Sequence, residues 1–117
     1  MDTNTSFNTA DQLLSEAKEE MMKPEEDLVP YSVCQKCFYA ISHYLKGFLH
    51  HQGISFDENM DMENLVDLAA SEEPKLSDLD SSFLKRPKDT EDVWMNIDRA
   101  SDFIDLTEKT RSLVGLK

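Results

Sequence analysis

The sequence predicts an all-α protein, an up-and-down antiparallel bundle of four to five helices, three long and one or two short. Three observations predict it. All four prolines, Pro24, Pro30, Pro74 and Pro87, fall between segments of helical apolar periodicity, never inside one. Only three glycines punctuate 117 residues, so the connections are short and few. No run with the period-two alternation of a strand exceeds four residues. At this length one core is the default, giving a single domain over residues 1–117 with residues 1–7 as a flexible start.

The first helix is expected to begin near Asn8 or Thr9, either of which can cap it, with Ala10, Leu13, Leu14, Ala17 and Met21 forming its apolar face. Pro24 and Pro30 bracket a loop or short turn. The central helix follows from Tyr31 to Gln52. Its stripe of Cys34, Cys37, Phe38, Ile41, Leu45, Phe48 and Leu49 is widened by Ala40, Tyr44 and Gly47 into a second face. A helix apolar on two faces is sandwiched between neighbours, and Gly53 stands where a left-handed C-cap belongs.

A short helix over Asp61–Ala70 buries Met62, Leu65, Val66, Leu68 and Ala69 and is closed by Pro74. Another, over Ser77–Lys85, would turn Leu79 and Phe83 inward. The last long helix runs from Thr90 to Val114 on Val93, Ile97, Ala100, Phe103, Ile104, Leu106, Thr107, Leu113 and Val114.

Twenty-four acidic against twelve basic residues give a net charge of −12, which repels phosphate backbones and disfavours general nucleic-acid binding. Residues 57–80 alone carry nine carboxylates and one lysine, while Lys85, Arg86 and Lys88 form the one tight basic group. There is no 18-residue apolar run and no signal-peptide pattern, so the expected location is cytoplasmic, without membrane contact.

Cys34-x-x-Cys37 is the sharpest local pattern, with His43, His50 and His51 farther along the same helix. One helix presents only i, i+3 or i+4 neighbours to a metal, and His43 lies about 9 Å along the axis beyond Cys37. The two cysteines are therefore read as small apolar core residues and no metal or other cofactor is called. His50 and His51 are read as partners of the helix C-terminal dipole. No nucleophile elbow, phosphate loop, calcium loop or Glu-x-x-His pair is present, and no catalytic residue is called.

Residues 37–49, CFYAISHYLKGFL, with Gly53-Ile54 and then residues 60–68, MDMENLVDL, resemble the HEPN domain, a helical-bundle family named for nucleotide binding in higher eukaryotes and prokaryotes. Lys46, Gly53, Ile54 and Asp61 agree with the family's pattern, while Ser42 replaces its usual Glu and Met60 its usual His. Ribonuclease members carry an Arg followed, after four to six residues, by a His on the last long helix, and the pair meets its twin across a dimer. At those distances after Arg99 stand Ile104, Asp105 and Leu106, and the last histidine of the chain is His51.

What the resemblance implies is a non-catalytic binding or regulatory module, a homodimer, with a nucleotide or a minimal nucleotidyltransferase as partner. Lys46 and Arg99 would meet an anionic group, Tyr44 or Trp94 would stack on a base, and His43 lies on the same polar edge. Two other readings stay open: a ribonuclease or toxin–antitoxin component using His43 or His50 with Arg99, and an acidic adaptor presenting residues 57–80 to a basic partner.

Overall fold

The computed structural model describes residues 3–78 and 97–114. Helix α1 spans Thr3–Met21, α2 Pro30–His51, α3 Met62–Glu72, a 3-10 turn Pro74–Asp78, and α4 Ile97–Leu113. The described residues contain no strand. The chain is an all-α bundle, as the punctuation by proline implies.

Helix α1 begins well before Asn8 and Thr9, and residues 3–7, set aside in the sequence as a flexible start, are helical. The reason lies on α2. Gly47 has no side chain, and a Cβ there would lie 2.8 Å from Phe7 Cε1 and 3.1 Å from Ser6 Cβ. The glycine opens a slot into which the first turns of α1 settle. Ser6, Ala10, Leu14 and Ala17 continue that buried face at helical spacing.

The turn between α1 and α2 is closed by Leu28 N–H donating to Pro24 O at 3.0 Å, and by Val29 N–H donating to the Glu20 carboxylate at 3.1 Å. Val29 is the N-cap of α2 and has no capping side chain of its own, so Glu20 supplies the acceptor from the preceding helix. Pro30 then occupies the first turn, where its missing N–H costs nothing.

Helix α2 buries Val33, Cys34, Cys37, Ala40, Ile41, Tyr44, Leu45, Gly47, Phe48 and Leu49, which covers more than one face. It ends in a Schellman arrangement: Gly53 adopts φ +72, its N–H donates to His50 O, and Ile54 N–H donates to Leu49 O at 2.9 Å. The glycine anticipated as a C-cap acts as one. Asp61 caps α3 by accepting from Asn64 N–H at 2.9 Å, and α3 runs two residues beyond the Ala70 end read from the sequence.

Residue pairs fix the directions. Glu16 meets Lys36, Asp11 meets Tyr44 and Phe7 meets Gly47, so α1 and α2 are antiparallel. Lys18–Glu108 and Asp11–Arg111 set α4 antiparallel to α1. Helices α2 and α4 are thus parallel neighbours. Helix α4 buries Ala100, Phe103, Ile104, Leu106, Thr107 and Thr110, and both threonine hydroxyls donate to backbone carbonyls four residues earlier. The anticipated helix over Ser77–Lys85, with Leu79 and Phe83, extends beyond the described residues, as does the anticipated Thr90 start of the last helix.

Candidate functional site

The polar edge of α2 lines a cavity of about 670 Å³. Positions 38, 39, 42, 43 and 46 recur at three- and four-residue spacing, so Phe38, Tyr39, Ser42, His43 and Lys46 share one wall. Met60, Asp61, Met62, Glu63 and Leu65 form the other. The second wall exists because the Gly53 stop reverses the chain and the Asp61 cap starts α3 across from α2.

Lys46 anchors the intervening loop. Its ammonium donates to Glu58 O at 3.2 Å and lies 3.5 Å from the Glu58 carboxylate. The same carboxylate is 3.8 Å from His50 Nε2, an ion pair when the imidazole is protonated, and His50 also stacks edge-on against Phe56. His50 therefore has an acidic neighbour that the sequence did not reveal, because Glu58 arrives from the loop.

Burial, with the Lys46 charge beside it, holds His43 below the usual imidazole range despite the opposing pull of Glu58. Its charged form is thereby disfavoured, and its buried Nδ1 has no partner among the described residues. Phe38 and Tyr39 meet edge to face at 5.7 Å, and Tyr39 is one of the few large apolar side chains left exposed.

Of the candidates read from the sequence, Lys46 and His43 are brought together in this cavity. Tyr44 is not: it is fully buried, and its hydroxyl donates to Asp11, which also accepts from Arg111 Nε at 2.9 Å. A ring fixed between three helices has no face to offer a base. Burial and the Asp11 carboxylate push the Tyr44 phenol above its ordinary value. For Asp11, burial works against the charged form, but the hydrogen bonds from Arg111 and Tyr44 outweigh it and lower its carboxyl.

Arg99 is absent from the cavity lining and lies instead in the field of Cys34. Cys34 is twelve residues before Lys46, about 18 Å along α2, so Lys46 and Arg99 do not share one anion site. Trp94 lies outside the described residues.

Cys34 and Cys37 are fully buried free thiols, both pushed up to about 12 by burial. Among the described residues no group of three or more His, Cys, Asp or Glu side chains is gathered to hold a metal, and no described helix is long and apolar enough to cross a membrane. The sequence reading missed Phe38, Tyr39 and Met60 as pocket residues. Phe38 and Tyr39 stand four residues before Ser42 and His43, a spacing that could have revealed them.

Comparison with family models, with curated proteins and with solved structures finds no match to this chain.

Proposed function

We propose that this chain is a non-catalytic, HEPN-like binding module that engages a partner protein through the α2–α3 cavity. The observation that carries the reading is the cavity itself, where an exposed aromatic, a half-buried imidazole and a lysine already bonded to Glu58 line one concave face. The HEPN resemblance of the same helix edge supports it, and a minimal nucleotidyltransferase is the partner that resemblance implies. The homodimer that the resemblance implies is not part of the proposal, because the exposed faces of α1 and α4 are polar among the described residues.

A phosphate-bearing ligand is less well served. Lys46 is the one lysine or arginine among the described lining residues, its charge is taken up by Glu58, and Asp61 and Glu63 stand opposite. For RNA cleavage, burial disfavours the protonated form of His43 that a general acid needs, and Arg99 lies outside the cavity lining.

Titration calorimetry with mono- and dinucleotides should show no heat, and mixed RNA incubated with the purified protein should stay intact. Nucleotide binding that disappears in Lys46→Ala would overturn the choice of a protein partner. RNA cleavage that disappears in His43→Ala would overturn the non-catalytic reading.

A further inference from the structure

The solvent faces of two long helices offer a partner little to bury. On α1 they carry Gln12, Ser15, Lys18 and Glu19, and on α4 Asp98, Asp102, Asp105 and Glu108, all exposed and polar. Among the described residues, the other exposed large apolar side chains, Met22 and Val29, sit apart on the α1–α2 turn. Apolar surface that is both accessible and concave occurs where Tyr39, half-buried Phe38 and half-buried Met60 surround the α2–α3 cavity. Its volume falls within the range of about 300–1,000 Å³ typical of clefts that enclose a whole ligand, which leaves room for more than one apolar side chain.

The described rim is acidic. Asp61 and Glu63 line the cavity and are exposed, Asp57, Glu58 and Asp67 are exposed on the same loop and helix, and among the described lining residues Lys46, held by Glu58, is the one lysine or arginine. With the whole chain at −12, this edge attracts cations and repels a second copy of itself.

We infer that the cavity receives the apolar side chains of a basic amphipathic segment carried by a different protein, its Lys and Arg residues meeting the acidic rim of α3. The inference rests on the protein-binding reading above and adds the chemistry of the partner. An amphipathic helix laying apolar anchors at i and i+4 into a groove is the mode that matches these dimensions.

Selection of random phage-displayed peptides on the full-length chain tests this. The expected winners carry a net positive charge and at least two large apolar residues, and they bind about tenfold or more weaker when salt is raised from about 50 to about 500 mM. They should also bind about tenfold or more weaker to Ser42→Trp, which fills the cavity from α2. If circular dichroism shows that Ser42→Trp misfolds, the double change Glu63→Lys, Asp67→Lys on the exposed rim gives the same loss for the selected peptides.

Neutral or acidic winners that still depend on Ser42 would overturn the inference while leaving the cavity as a protein-binding site. Peptides indifferent to both variants, or no enrichment at all, would overturn both. Stronger binding by a peptide of residues 79–91, which holds the chain's own Lys85, Arg86 and Lys88, would overturn the inference in favour of self-occupancy.

Discussion

Replacing Gly47 by Ala probes the contact that seats α1 on α2, and it sets two known effects against each other. Alanine inside a helix is favoured over glycine by about 1 kcal/mol. The new Cβ, however, would sit 2.8 and 2.9 Å from two Phe7 ring carbons and 3.1 Å from Ser6 Cβ, all closer than ordinary contact. Overpacking of that kind costs about 1–3 kcal/mol. The net expectation is a loss of about 1 kcal/mol, or roughly 4 °C in Tm for a domain of this size.

Two of the three close contacts belong to Phe7, so removing its ring removes most of the cost. In a Phe7→Ala background the same Gly47→Ala change should stabilise by up to about 1 kcal/mol, leaving a coupling of about 2 kcal/mol between the sites. Urea unfolding followed by circular dichroism measures all four corners of the cycle. An equal, stabilising effect of Gly47→Ala in both backgrounds would refute the packing of residues 6 and 7 against α2.

Tyr44→Phe should cost about 1 kcal/mol in the same assay, because it removes the hydroxyl that ties α2 to Asp11. Asp11 has a lowered folded-state carboxyl, so its contribution is complete above the unfolded value of about 3.9 and is lost as pH falls through the lower folded value; Asp11→Asn should flatten that acid limb of the stability curve. His43 is also lowered on folding, so its contribution is present above the unfolded value of about 6.5 and is lost as pH falls through the folded one. An NMR titration placing His43 at or above an ordinary imidazole would contradict its burial beside Lys46. Cys34 and Cys37, with thiols near 12, should resist a disulfide reagent at pH 8 in the native protein and react fully once it is unfolded.

Much of α2 was legible because its signals agree: an apolar stripe on two faces, a proline at the start and a glycine that the Schellman turn requires. The start of α1 was not, because the residue that admits Ser6 and Phe7 is Gly47, forty residues away. A local reading sees only Asn8 and Thr9 as plausible caps. The same limit governs the site. Lys46 and His43 could be placed on one edge by spacing alone, while Tyr44, two positions before Lys46, turns inward to Asp11 and Arg111. Its aromatic ring looked available because the acid that holds it comes from another helix. Arg99 and Lys46 were paired by chemistry, and the direction of α4 separates them.

A photo-crosslinking amino acid placed at Tyr39 of the full chain, compared with the same group at Asp105 on the outer face of α4, tests the binding face most directly. Irradiation in the source cells should give a discrete adduct from position 39 that disappears with Ser42→Trp, and none from position 105. An adduct from position 105 alone would contradict the assignment of the α2–α3 cavity as the site where this protein meets its partner.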